Sequence, residues 1–323
     1  MLSDGQWSIG ELARHAGATV KTVRFYSDRG LLPEAGRSSG GHRRYGAEAL
    51  DRLRLIRSLR ALDVPLPEIE RLLSGAHARV GPGDGAGAEV RDDVLEEVVA
   101  GQLRELGSRL AALRWRAVSL GLVRDCSAGE RADRLRLLGA VALPPDTAAL
   151  AGFWRRILPA RLPGRVVSLV VDSVVPRPPE DPSPAQVLAF ARLHALVTDP
   201  RLASAEHRPA PPLPDGEYRP AVLYEGLAEA YALAAAELRA GRAPQDGGAL
   251  DCFVSAYAHA CGVPDAPAFR RRLVGLLALH DGPVIGRYWK LAAGLFAPDE
   301  PVLGALHHQL SVALRSQVHA RTV

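Results

Sequence analysis

The chain has 323 residues, 47% of them hydrophobic and 24% charged, with a net charge of +4; it is not a wholly disordered chain, and its length suits about two cored domains. Apolar runs such as Val166–Val171 fall well short of the ~20 residues of a membrane span, and the N-terminus lacks a basic-then-apolar leader. Three cysteines make no disulfide framework, so the expectation is a reduced, cytoplasmic protein with no membrane partner.

Lysine occurs only at Lys21 and Lys290, so 38 of the 40 basic residues are Arg. Residues 1–80 carry 13 basic and 9 acidic side chains, and the rest of the chain carries 27 of each. The positive excess therefore sits in the first quarter, a footprint for nucleic acid.

In chain order, Ser8-Ile9-Gly10-Glu11 reads as a capping box that opens a short helix with Ile9, Leu12 and Ala13 on its apolar stripe. Gly17 suits the left-handed residue that ends it. Thr19 caps a second helix with Val20, Val23 and Ser27 as its inner positions, and Gly30 closes that helix. The pair predicts a helix-turn-helix, with Lys21, Thr22, Arg24 and Tyr26 outward. Pro33 to Gly41 is turn chemistry, followed by the basic-aromatic tip His42-Arg43-Arg44-Tyr45. Residues 47–62 return to helical spacing, and Pro65 and Pro67 fit the first turn of a helix carrying Ile69, Leu72 and Leu73.

Residues 76–91 read as a Gly-rich linker. A long helix over 92–122 then places Val99, Leu103, Leu106, Leu110, Leu113, Ala117 and Leu120 in 4-3-4-3-4-3 register. That register suits either a coiled-coil seam or an amphipathic helix packed on its own domain. Beyond Asp125 the pattern is mostly helical. Residues 165–175 look strand-like in composition, yet Val166, Val167, Val170, Val171 and Val174 share one helical face. Pro-rich breaks fall at 176–184 and 209–220, and five helices are predicted over 221–240, 249–261, 266–279, 283–295 and 300–319.

The run Ile9-Gly-Glu-Leu-Ala, Thr22-Val-Arg24-Phe25-Tyr26, Gly30-Leu-Leu-Pro33 and Arg37-Ser-Ser-Gly-Gly41-His-Arg43-Arg-Tyr45 resembles the MerR family of bacterial transcription regulators over residues 7–75. His42 departs from the Tyr that many members carry. The resemblance implies a mainly all-α protein: a winged helix-turn-helix with a small β wing over 1–75, a long antiparallel coiled-coil dimer helix over 92–122, and a helical C-terminal sensor region. A break near 215 divides that region into 123–215 and 216–323. The last hundred residues are similar, in the order of their pieces, to the drug-binding domain of TipA-type members. The pieces are Glu237-Leu238-Arg-Ala-Gly241, a Pro-Asp loop, a helix with an internal His, and Gly294-Leu295.

The family's layout assigns DNA contact to Thr19, Lys21, Thr22, Arg24, Tyr26, Arg37, His42, Arg43, Arg44 and Tyr45. Arg24, with Lys21 and Thr22, suits the major groove, where Arg reads guanine by a bidentate bond. Arg37, Arg43 and Tyr45 suit phosphate, which fixes register without reading sequence; Tyr26 fits either a phosphate or a place between helices. The same layout makes the heptad seam a homodimer interface. The implied function is a non-enzymatic regulator that binds a promoter pseudo-palindrome and distorts an overlong spacer to realign it for RNA polymerase holoenzyme. A small-molecule or peptide-like effector in the C-terminal region would control it. The alternatives are a constitutive repressor or activator that docks a protein partner, and a DNA-tethered enzyme, for which no catalytic constellation appears.

No cofactor or metal is expected. Cys252 and Cys261 are nine apart, on opposite sides of one predicted helix; Cys126 has no cysteine near it, and the adjacent His307 and His308 diverge. Trp154, Tyr224, Tyr257, Tyr288 and Trp289 are the candidates for lining an apolar ligand pocket, with burial in a helical core as the plainer reading.

Overall fold

A computed structural model describes residues 6–74, 92–159, 162–203, 218–243, 248–280, 283–297 and 301–320. The predicted linker over 76–91 and most of the second Pro-rich break lie outside the described residues. Among those described, fourteen α-helices and one two-stranded sheet make a mainly all-α winged helix-turn-helix protein. The chain divides into two compact units, Met1–Ser108 and Arg109–Val323.

In the first unit, Ser8 caps α1 (Ile9–His15) by the reciprocal box with Glu11. Gly17 follows with a φ of 59°. Thr19 caps α2 (Val20–Asp28) by accepting from the Thr22 N–H, and Gly30 follows with a φ of 73°. Strands β1 (Gly36–Arg37) and β2 (Arg43–Arg44) pair antiparallel, and a further bridge joins Trp7 to Tyr45. Helices α3 (Ala47–Ala61) and α4 (Leu66–Ser74) close the unit. Leu12, Val23, Tyr45, Leu53, Ile56 and Ile69 form its core, with Val98 from the start of α5 (Asp92–Arg124).

The second unit begins within α5 and continues through α6 (Arg131–Gly139), α7 (Ala148–Ile157), α8 (Gly164–Val174) and α9 (Pro184–Val197). The Val-rich stretch is α8: Val166, Val171 and Val174 are buried while Ser173 faces out, a helical pattern that overrides β-composition. Helix α9 is opened by a Ser183–Gln186 capping box with Pro184 at its first position. Then follow α10 (Pro220–Arg239), α11 (Ala249–Ala260), α12 (Pro267–His280), α13 (Pro283–Ala292) and α14 (Leu303–Ala320), five helices where five are predicted.

Two hydrophobic clusters fill this unit. One gathers Trp115, Leu150, Phe153, Trp154 and Phe190 with Tyr288 and Leu295. The other gathers Leu227, Phe253, Leu273 and Leu310. Helices α10 and α11 approach closely because Gly226 has no side chain; a Cβ there would lie 2.7 Å from that of Ala256. Helix α13 packs on α9, so its aromatic residues belong to the first cluster although they follow residue 215.

Candidate nucleic-acid interface

The local sequence puts α2 on the surface in a defined orientation. Val23, Tyr26 and Ser27 are buried on its inner side, while Lys21, Arg24 and Phe25 are exposed. Lys21 and Arg24 make no ion pair among the described residues, which leaves both charges open to an anionic partner. Thr22 is half-buried, and its hydroxyl bonds that of Thr19 at 2.8 Å. Tyr26 differs from its outward assignment: it is buried, since it lies three residues from Val23 on the inner stripe. Of the two places open to it, it occupies the one between helices.

On the wing the basic side chains carry their own counterions. The Arg43 guanidinium binds Asp28 and, through Nε, the Glu34 carboxylate at 2.7 Å. It also donates to the Ser27 hydroxyl at 2.9 Å. The hydrogen bond to Asp28 and the nearby Glu34 charge raise its pKa above the ordinary guanidinium value. Arg37 lies 3.5 Å from Glu34, and Arg44 lies 4.0 Å from Glu11. The Ser8 backbone and side chain, more than Arg44, hold the Glu11 carboxyl below its usual range. His42 is exposed at the tip, beside Gly41 with its φ of 79°.

Tyr45 is 0% exposed, and its hydroxyl shares a 2.7 Å hydrogen bond with Ser27. In this geometry it pins the wing to α2. Tyr45→Phe is expected to lower the stability of the first unit by about 1 kcal/mol. Ser27 keeps its bond from Arg43, and operator affinity measured well below the melting transition stays unchanged. Lost affinity with unchanged melting would place the hydroxyl on DNA.

These features have counterparts in known proteins. The sequence profile of MerR HTH family regulatory proteins matches residues 7–76, the helix-turn-helix and wing together. The HTH-type transcriptional regulator ZntR homolog of Haemophilus influenzae is 32% identical over 130 residues, which span 40% of this chain and 90% of that one. The chain belongs to the MerR family. It is similar as well to the transcriptional activator TipA of Streptomyces coelicolor, at 48% identity over 67 residues, 21% of this chain and 26% of TipA. The nodulation protein NolA of Bradyrhizobium sp. is 46% identical over 70 residues, 22% of this chain and 30% of NolA. The chain thus spans under a third of those two relatives. Among solved structures, the transcription regulator PbrR691 from Ralstonia metallidurans, in complex with lead(II), is 36% identical with a TM-score of 0.30, covering 38% of this chain and 89% of that one. As a MerR-family member the chain is a helix-turn-helix, DNA-binding transcription regulator.

Past the family domain, α5 leaves its heptad seam uncovered. Val99, Leu103, Leu106, Leu110, Leu113, Ala117 and Leu120 are all exposed, and Leu106 is 57% exposed. Nine residues on from Leu106, and so on the opposite side of the helix, Trp115 is buried against Phe190, and its indole N–H donates to the Pro179 carbonyl at 2.8 Å.

The aromatic candidates separate. Trp154, Tyr288 and Trp289 meet in one cluster, with ring centroids 5.0 and 5.5 Å from Trp154. The Tyr288 hydroxyl is buried and donates to the Val174 carbonyl. Tyr224 packs on the margin of that cluster, whereas Tyr257 lies in the other, against Phe253. Burial raises the pKa of the Tyr224, Tyr257 and Tyr288 hydroxyls. A groove of about 340 Å³ between α9 and α13 is lined instead by Leu188, Ala189, Arg192, Lys290 and Leu291 with Ala185 and Gly294.

Cys126, Cys252 and Cys261 are free thiols, the last two both belonging to the cluster around Phe253. His307 bonds the Tyr231 hydroxyl at 2.8 Å. Among the described residues, no group of three or more His, Cys, Asp or Glu is arranged to hold a metal ion, and no helix is long and apolar enough to cross a membrane.

Sequence reasoning missed Phe25, which lies on the outer face of α2 at 45% exposure. The signal was available: Val23 and Ser27, inner positions by sequence, lie on the side of the helix away from Phe25.

Proposed function

We propose that this MerR-family regulator acts as a homodimer through α5, sets the two copies of α2 in successive major grooves of a pseudo-palindromic promoter, and activates by distorting an overlong spacer for RNA polymerase holoenzyme. The observation that carries the reading is an exposed basic face on α2, whose Lys21 and Arg24 make no ion pair among the described residues, together with an uncovered heptad seam on α5. A seam of leucines left in water is the sequence and surface pattern of a coiled-coil partner. The activator sign draws on the likeness to the transcriptional activator TipA, and distortion of DNA the protein does not touch is a known route to output.

The C-terminal helical region is the proposed sensor. It holds an open groove lined by Leu188, Ala189 and Leu291 with the exposed cations Arg192 and Lys290, in a unit whose size exceeds the needs of a dimer cap. An effector acts only if it binds the two states of the dimer unequally. The likeness in the order of pieces to the TipA-type drug-binding domain favours a small-molecule or peptide-like effector over a docked protein.

The test is operator binding and transcription in vitro with the full chain. Affinity falls steeply with salt as phosphates release counterions. Arg24→Ala weakens operator binding by about 5- to 150-fold and relaxes base preference at one position per half-site. Operator affinity within twofold of wild type removes Arg24 from the groove. A compound that raises the melting temperature of the full chain must also change transcript level, or the sensor reading fails.

A further inference from the structure

The outer face of α2 holds one aromatic ring among polar side chains; Val20, 41% exposed at the helix start, is the other exposed apolar residue of α2. At 100° per residue, Lys21, Arg24, Phe25 and Asp28 fall within about 100° of one another, with Phe25 between Lys21 and Arg29. The inner face holds Val23, Tyr26 and Ser27. Phe25 is 45% exposed, so its ring stands in water in the free protein.

That ring is held in place. It meets the Tyr26 ring edge-on, with centroids 5.4 Å apart. The Arg29 guanidinium lies over it, 4.6 Å from the centroid. Arg29 in turn pairs with Glu70 of α4 at 3.1 Å. A buried tyrosine on one side and a tethered cation on the other limit the rotamers of Phe25, so little side-chain freedom remains to be lost on contact.

A phenyl ring has no donor or acceptor, so it makes no hydrogen bond to a phosphate or to a base edge. The apolar feature of a base pair in the major groove is the C5 methyl of thymine. We propose that Phe25 is a specificity-determining residue that reads one thymine per half-site through that methyl. The proposal rests on the reading that α2 enters the major groove. It adds a methyl-reading position beside the guanine read by Arg24.

The experiment uses the full-length protein. Preferred duplexes are selected from a random pool, and each thymine is then replaced singly by deoxyuridine, which removes the methyl and keeps the base pairing. We expect one deoxyuridine position per half-site to weaken wild-type binding about fourfold, the worth of one buried methyl. The same replacement changes Phe25→Ala binding by less than about 1.5-fold, while Phe25→Leu retains most of the wild-type sensitivity. Circular dichroism of both variants should match wild type, because the ring is not part of the core. If no deoxyuridine position weakens binding, or if the same position weakens Phe25→Ala as much as wild type, the methyl contact is wrong although α2 still reads DNA. If Arg24→Ala also leaves the selected sequence unchanged, the groove placement of α2 falls and the contact falls with it.

Discussion

Leu106→Arg is expected to convert the protein to monomers in light scattering and to abolish tight binding to the full palindrome. Leu106 is near the middle of the α5 seam and is 57% exposed, so the isolated chain tolerates the change with its helical content retained. In a paired seam the same guanidinium loses its water without gaining a counterion. Among the seam residues Val99, Leu103, Leu110, Leu113, Ala117 and Leu120 there is no carboxylate to receive it. An uncompensated buried charge costs about 3–5 kcal/mol, or roughly two to four powers of ten in the dimer dissociation constant. A monomer presents one α2, and each half-site alone carries half of the base and phosphate contacts. Sedimentation or light scattering across concentration, beside a palindrome-binding curve, reads both effects. A dimer that persists with wild-type affinity moves the interface off α5.

Trp115→Ala is expected to act on the opposite side of the same helix, and on stability rather than on association. Trp115 is 2% exposed, packs edge-on against Phe190 with centroids 5.5 Å apart, and binds the Pro179 carbonyl. Truncation to alanine leaves a cavity and an unanswered carbonyl, worth about 3–5 kcal/mol. In a unit of this size that is a fall of about 10 °C in its melting temperature. The Met1–Ser108 unit has its own core and keeps its transition, so calorimetry should show one transition move and the other stay. This residue also bears on dissection of the chain. A fragment ending at residue 122 keeps Trp115 but removes Phe190 and Pro179, which cover it. Tests of the sensor region therefore belong on the full chain.

Short-range chemistry made much of this protein legible in its sequence. The Ser8–Glu11 box, the Thr19 cap, the glycines at 17 and 30 and the Pro33–Gly41 turn act over three to eight residues. Signals of that range let the helix-turn-helix be drawn before any coordinates, while the β wing followed from the resemblance to the MerR family. The heptads of α5 and the face of α8 are legible for a related reason: helical periodicity records which side is apolar. The box at Ser183–Gln186 carries the same kind of signal for α9.

What the periodicity leaves open is what covers an apolar side. Tertiary structure decided that the α5 seam is bare while Trp115, on the same helix, is covered by residues 64 and 75 positions away. It turned Tyr26 inward and left Phe25 outward. It neutralised Arg43 with Asp28 and Glu34, and it gave Tyr45 to Ser27 rather than to solvent. It drew α13 onto α9, so that Trp154, Tyr288 and Trp289 support a core while Arg192, Lys290 and Leu291 line the groove. These outcomes depend on contacts between residues far apart in the chain, whose burial and ion pairing follow from where whole helices pack, and no local spacing encodes that.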